Sequence, residues 1–330
     1  MTGAADPARK LTVLVVEQGE GLWGAQRYLL RLAPLLAEYG IEQILAAPAD
    51  SATGEAWEAA GMRRVVLPAP ADRRVRSASG RFNPLLGARE LSHIAVTALR
   101  TARLARRVDA DVIHANSHWS HLECVLAGRL SGVPVELHLH EESEQDVLGR
   151  VRGFAVKHAA ATIAVSRDVR ASLPQAARDR AVVIANGIDA DEITPGPADP
   201  AVRAQMSDSP EAPLVLSASR LDPRKGVQYL IEAVAGLPGV QLAIAGSGSL
   251  DPGFAGELQA QAERQAAGRI KFLGHRSDIV DLFRAADVMA MASSLEGMPL
   301  GVLEAQAAGL PVVAWPAAGI PEIIEHGIDG

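Results

Sequence analysis

Arg220 and Lys225 stand five positions apart in Ser219-Arg220-Leu221-Asp222-Pro223-Arg224-Lys225-Gly226, after an aliphatic run and before an amphipathic one. A guanidinium and an ammonium there stay charged at neutral pH and can share the oxygens of a diphosphate; a solvated basic turn is the plainer alternative. The next aliphatic run ends in Ala245-Gly246-Ser247-Gly248. Its glycines let backbone approach a ligand, or simply make a left-handed turn. Glu296 and Glu304 bracket Gly297-Met298-Pro299-Leu300-Gly301-Val302-Leu303. On one continuous helix eight residues rotate two side chains by about 80°, so they would share a face poorly. Gly297, Pro299 and Gly301 make the start a loop, and Pro299 suits a helix beginning, so both carboxylates can address one elongated ligand. Acids at the helix start that merely favour its dipole are the alternative. Gly319-Ile320-Pro321-Glu322 reads as a turn and helix start.

The N-terminal region offers weaker signals. Gly19-Glu20-Gly21-Leu22-Trp23-Gly24 is a literal G-x-G-x-x-G before a helix whose apolar face is Leu29, Leu32, Ala33 and Leu36. It reads as a dinucleotide site, another phosphate contact or a bare turn. The dinucleotide reading fails one test, because the second strand ends in Ala-Ala-Pro and not in the acid that would hold a ribose. His114, His118 and His121 share one stretch, and His138 and His140 point to one side of the next strand if it continues. Five histidines near strand ends could hold a metal, although neither Cys nor an H-E-x-x-H helix accompanies them. Glu141, Glu142 and Glu144 read as a solvated acidic loop.

These residues sit on alternating strands and helices. Leu11–Val16, Ile41–Ala46, Arg64–Leu67, Val112–Ala115, Val133–His138 and Thr162–Val165 read as buried strands, and Ala25–Glu38, Leu85–Arg107, Ser120–Leu130 and Val151–His158 as helices. Pro195, Gly196, Pro197, Asp199, Pro200 and then Ser207–Pro213 read as a link. The alternation restarts at Leu214–Ser219 and runs to Val312–Ala314. Two doubly wound parallel sheets follow, divided as 1–195, a link over 196–212, and 213–330, with ligands expected at the carboxyl ends of the strands and in the cleft between domains.

Length and composition agree. At 330 residues the chain exceeds one ordinary core, and 48% apolar with 22% charged residues is globular composition. The net charge of −7 argues against a nucleic-acid partner. The single Cys124 excludes an internal disulfide framework, and no apolar run nears the roughly 20 residues of a spanning helix. With no signal-peptide layout, a cytoplasmic protein is expected. Between Arg63 and Arg107, however, eleven Arg face only Asp72 and Glu90, a net of +9 against −16 elsewhere. Arg73, Arg74, Arg76 and Arg81 read as a loop, and Arg100, Arg103, Arg106 and Arg107 crowd one helix end. Peripheral contact with an anionic membrane, at about 1 kcal/mol per Arg, is one reading, and a solvated face is the other.

R-x4-K, G-S-G and E-x7-E, in this order and on these elements, resemble the second domain of retaining GT-B fold glycosyltransferases of family four. Asn186-Gly187-Ile188-Asp189 resembles the family's N-G-[IV]-D, and Trp23-Gly24-Ala25-Gln26 its G-G-x-[EQ] loop with Trp in the first Gly position. The resemblance implies two Rossmann-like domains and transfer of a sugar from a nucleotide-diphosphate sugar to a glycan, lipid-linked or small-molecule acceptor, with retention of configuration. It implies no cofactor and no metal, since Arg220 and Lys225 would neutralise the leaving diphosphate. Gly246, Gly248 and the backbone of Met298, Pro299, Leu300 and Gly301 would line the donor. Glu304 would hold the ribose, Glu296 would contact the sugar, and Gly24 would let its loop approach the phosphate. The family's histidine near the sugar falls on His140, with His138 the nearest competitor. Family members continue past the position of Gly330 with a final strand and helices, so a second domain incomplete at its C-terminus is implied. A non-catalytic nucleotide- or glycan-binding protein of this fold remains an alternative. So does an NAD-dependent oxidoreductase on the Gly19–Gly24 loop, though that one leaves E-x7-E unexplained.

Overall fold

Leu14, Val15 and Val16 lose all contact with solvent on both faces of the first strand, which is the situation of a central strand in a covered parallel sheet. In the computed structural model, which describes residues 10–19, 21–69, 84–142, 147–248 and 253–330, two such sheets form. In chain order the strands are β1 Leu11–Val16, β2 Ile41–Ala47, β3 Arg64–Val66, β4 Val112–Ala115, β5 Val135–Leu139, β6 Ala161–Ala164, β7 Ala181–Val183, β8 Leu214–Ala218, β9 Gln241–Ala245, β10 Ile270–Gly274, β11 Val288–Met291 and β12 Val312–Ala314. The first sheet has the order β3-β2-β1-β4-β5-β6-β7 and the second β10-β9-β8-β11-β12, with every recorded pairing parallel. The chain divides into two compact units, Met1–Ile184 and Ala185–Gly330.

Strand order reverses between β1 and β4 in the first unit and between β8 and β11 in the second. Crossovers leave in opposite directions there, which opens a crevice at the strands' carboxyl ends. Alternation along β9 shows both faces covered. Ala243 and Ala245 join one apolar cluster with Leu216, Met289, Phe283 and Val302, while Leu242 and Ile244 join another with Val227, Ile231 and Leu258. In the first unit Leu29, Ala33 and Trp57 pack on Val15 and Leu45.

Among the described residues, four α-helices lie where no helix is expected from the sequence, namely Arg167–Ser172, Gln175–Arg178 and two whose start signals are plain in the structure. Ala52–Ala59 starts at Ser51, whose hydroxyl accepts the Gly54 N–H at 3.2 Å, and it buries Trp57 completely. Pro200–Met206 falls within the stretch read as a link. Asp199 caps it by accepting the Ala201 N–H at 2.8 Å, Pro200 suits its first turn, and Met206 inserts fully into the second core. Residues 196–212 therefore pack as part of the second unit.

The Arg-rich segment is only partly a solvated face. Arg64 folds inward, with its side chain 5% exposed, pairing with Glu58 at 3.0 Å and donating to the Ala49 carbonyl at 2.7 Å. On helix Pro84–Arg107, Thr97, Ala98, Thr101, Ala102 and Ala105 are buried while Arg100, Arg103, Arg106 and Arg107 stay exposed, Arg106 donating to the Leu130 carbonyl. Arg73, Arg74, Arg76 and Arg81 lie outside the described residues. Among the described residues no helix is long and apolar enough to cross a membrane.

Gly246, just past β9, presses against the loop after β8, where a Cβ would sit 1.8 Å from the Ser219 carbonyl oxygen. Gly301, near the start of helix Leu300–Ala307, leaves room, with the nearest atom at 3.5 Å. Gly246→Ala is therefore expected to destabilise the protein by roughly 1–3 kcal/mol through forced backbone shifts. Gly301→Ala should be neutral, or stabilising by up to about 1 kcal/mol through helix propensity. Thermal or urea denaturation of both variants checks the contrast.

Candidate functional site

In the second unit the charged residues gather where the strand order reverses. β8 ends at Ala218 and runs into the Ser219–Gly226 segment, and β11 ends at Met291 and runs into the loop that carries Glu296. Lys225 Nζ donates to Glu296 Oε1 at 2.6 Å, with the lysine side chain 21% and the glutamate side chain 8% exposed. The cation expected at a diphosphate and the carboxylate expected at a sugar thus form one ion pair. Arg220 is half-buried on the same segment.

Backbone contacts hold this pair in place. Asp222 is buried, accepts the Arg224 N–H at 3.0 Å and receives Arg224 Nε at 3.3 Å. Burial pushes its carboxyl up, but the Arg224 amide and guanidinium outweigh that and hold it below the ordinary aspartate value. Gly226 has φ +70° and sits so close to the next loop that a Cβ would lie 2.0 Å from the Ala292 carbonyl oxygen. Ser294 N–H donates to the Arg224 carbonyl at 2.8 Å, which fastens the two loops to each other. Only glycine permits the left-handed turn and the close approach together.

Glu296 precedes helix Leu300–Ala307, Pro299 stands at its N-cap, and Glu304 lies a turn inside; both glutamates are buried. Asn186 Nδ2 donates to the Met298 carbonyl at 2.9 Å, and Gly319 N–H to the Gly297 carbonyl at 2.9 Å. The N-G-I-D segment and the turn after β12 therefore both brace the loop between the glutamates. Gly248 has φ +70° and is exposed; Gly246 is used for close packing of two protein loops.

The first unit gathers buried polar groups at its own reversal point. Gly24 opens helix Gly24–Glu38. The glycines before it make room for protein atoms, since a Cβ on Gly21 would meet the Trp23 ring at 2.3 Å and one on Gly19 the Gln26 amide at 2.8 Å. His140, just past β5, has Nε2 2.8 Å from Asn116 Oδ1 and stacks on His138 with ring centres 4.1 Å apart. His138 meets His114 and Tyr28 edge-on, and His114 pairs with Glu136. His121 Nε2 donates to the His138 carbonyl at 3.2 Å. Glu141 is not simply solvated, because His118 lies 3.3 Å and Arg152 3.9 Å from its carboxylate; Glu144 lies outside the described residues. Among the described residues no three His, Cys, Asp or Glu are grouped to hold a metal ion. Glu17 and Asn116, absent from the sequence-based candidates, are buried at the ends of β1 and β4. Their signal was positional: each directly follows a strand at the reversal.

Burial pushes His121 and His138 well below the ordinary histidine value, and burial together with the neighbouring His114, His121 and His118 takes His140 down to about 3. Below pH 6.5 the unfolded chain takes up protons that these three folded side chains refuse, so stability is lost as pH falls. His114 and Glu17 run the other way. Burial works against charge on His114, yet Glu136 lifts it above the ordinary value, and burial raises Glu17. Both therefore lose stability as pH rises through their own ranges, His114 above 6.5 and Glu17 above 4.5. Urea midpoints measured between pH 7 and about pH 5 should fall with acid at a net slope on the order of 1–2 kcal/mol per pH unit. His121→Phe is expected to flatten that slope.

Comparison with known proteins places this geometry in a family. A model described as Glycosyl transferases group 1 matches residues 212–330, and one described as Glycosyltransferase Family 4 matches residues 23–192. The chain is 36% identical over 165 residues to D-inositol 3-phosphate glycosyltransferase of Mycolicibacterium smegmatis, a match covering 48% of this chain and 37% of that protein. It thus spans little more than a third of the length of such relatives. The structure of Anabaena Alr3699/HepE in complex with UDP-glucose is similar at a TM-score of 0.81 and 25% identity, over 97% of this chain and 84% of that one. Sucrose-phosphate synthase from Thermosynechococcus elongatus shares the fold at a TM-score of 0.73 and 18% identity, over 96% of this chain and 84% of that one. Two parallel α/β sheets with their charges at the reversal points, and a family match running over more than half of the 330 residues, make this chain a member of glycosyltransferase family 4 with the GT-B fold.

Proposed function

We propose that this protein transfers a sugar from a nucleotide-diphosphate sugar to a hydroxyl acceptor with retention of anomeric configuration and without a metal ion. The observation that carries the reading is the Lys225–Glu296 pair, with Arg220 on the same segment, at the carboxyl ends of β8 and β11. The Anabaena relative, whose structures contain UDP-glucose or UDP and glucose, supports a donor of this class.

In this reading the diphosphate draws Lys225 and Arg220, which balance the charge that grows on it as the bond to the anomeric carbon breaks. Preorganised charges of this kind supply a large share of catalysis because they need no rearrangement when the charge develops. Amides at the start of helix Leu300–Ala307, among Met298, Pro299, Leu300 and Gly301, add the positive end of the helix dipole. Gly246 and Gly248 shape the loop beside the donor. Glu296, released from Lys225, turns to hydroxyls of the transferred sugar, and Glu304 holds the ribose. The acceptor oxygen bonds to the anomeric carbon on the face from which the diphosphate leaves, and its proton passes to the departing phosphate oxygen. The bond count balances without a protein nucleophile.

Nucleotide release from a panel of nucleotide-diphosphate sugars tests this. Lys225→Ala is expected to lower kcat about 10²–10³-fold, the loss seen when one such stabilising donor is removed. It also leaves Glu296 buried without its cation, so stability should fall by on the order of 1–3 kcal/mol. Glu296→Gln keeps the hydrogen bond and should retain stability better while still losing turnover. Nucleotide binding with no release from any donor would favour a binding protein; release indifferent to both substitutions would move the site elsewhere.

A further inference from the structure

Three neighbouring strands of the first sheet end in consecutive members of one hydrogen-bonded chain. Glu17 follows β1, Asn116 follows β4 and His140 follows β5, and these strands are adjacent in the sheet. Glu17 is fully buried and Asn116 is 1% exposed. Three donors meet the Glu17 carboxylate. Gly19 N–H reaches Oε1 at 2.6 Å, Asn116 Nδ2 reaches Oε2 at 2.5 Å, and the Gln26 side-chain amide donates as well. Gln26 has no freedom to reverse, because its Oε1 accepts the Trp23 N–H at 3.2 Å.

The polarity of the chain is then forced link by link. Burial raises the Glu17 pKa and its hydrogen-bond donors act against that; Asn116 donates its NH2 to Glu17 Oε2, so its Oδ1 faces the other way. Oδ1 lies 2.8 Å from His140 Nε2. A carbonyl oxygen accepts, so Nε2 carries the hydrogen. The ring is neutral, with its pKa pushed down to about 3 by burial and by neighbouring histidines. Its lone pair is therefore on Nδ1.

We infer that Glu17 and Asn116 are positioning residues that lock His140 in the Nε2–H tautomer, leaving Nδ1 as an obligatory acceptor for a hydroxyl. The Gln26 of the glycine loop belongs to the same device, since its amide donates to the same carboxyl and favours its ionised form against burial. If the ring meets a hydroxyl of the transferred sugar, as the family resemblance implies for His140, that hydroxyl must donate. The tautomer itself does not depend on that reading, because it can be read in the protein alone.

Nitrogen-15 NMR of the full chain labelled at histidine, with His140 assigned by loss of its signals in His140→Gln, gives the test. At pH 7 the wild-type ring should show a protonated-type shift at Nε2 and an unprotonated-type shift at Nδ1. In Glu17→Gln the new amide oxygen keeps the Gly19 and Gln26 donors, so its NH2 must face Asn116. The Asn116 amide then reverses, and His140 should switch to the Nδ1–H form. A role in packing alone would lower stability without exchanging the two nitrogen shifts. An imidazolium or Nδ1–H ring in the wild type, or a folded Glu17→Gln with the tautomer unchanged, would overturn the assignment. Asn116→Ala decides the case where Glu17→Gln fails to fold. Loss of the single tautomer supports the relay, and a pure Nε2–H ring contradicts it.

Discussion

A parallel strand cannot turn straight back on its neighbour; the chain must leave from the carboxyl edge and cross the sheet before the next strand begins. Where strand order reverses, two departing segments move apart over opposite faces and cannot fill the edge they leave. In both units the buried polar chemistry stands at this gap. β1 and β4 deliver Glu17 and Asn116, and β8 and β11 deliver Lys225 and Glu296. The aliphatic interiors of the strands make this placement rigid, since Val15 and Val16 are fully buried directly before Glu17, and Leu216 and Met289 are fully buried within β8 and β11.

The two gaps solve the problem of buried polarity differently. In the second unit a full positive charge meets a full negative one, with the lysine still partly open to solvent. In the proposed reading such a pair exchanges partners: an incoming anion would replace the carboxylate at Lys225, and the freed carboxylate would accept from hydroxyls. In the first unit a buried carboxylate is satisfied by amides, which pass its polarity outward to a neutral ring. No comparable exchange of partners is open to it, because Gly19 donates from the backbone while Gln26 and Asn116 are each held by a second hydrogen bond.

Much of the second-unit site was legible because each signal is local. Arg220 and Lys225 occupy one strand-to-helix turn, and Glu296 and Glu304 flank one helix start, so linear spacing carries their placement. The ion pair itself was not legible, since Lys225 and Glu296 lie 71 residues apart and meet only through the β8–β11 neighbourhood. Glu17 and Asn116, 99 residues apart, were missed for the same reason. Helix Pro200–Met206 was missed differently. Its Asp-Pro start is a sound helix signal, but it sits in a stretch whose prolines and small polar residues read as a link until Met206 is seen buried against the second core.

The glycines show why a motif can be right in position and different in cause. Gly246 stands where a ligand's approach was one expected reason for glycine, and Gly226 ends the segment that carries Lys225; at each the nearest obstacle to a Cβ is a carbonyl oxygen of the protein, Ser219 at 1.8 Å and Ala292 at 2.0 Å. Their first task is to let the loop after β8 lie flush against the loops after β9 and β11. That packing holds Lys225 opposite Glu296, and any larger residue would separate the loops that carry the two charges. The glycines thus set the geometry of the ion pair, and the charge arrangement depends on backbone contacts that contain no charge at all.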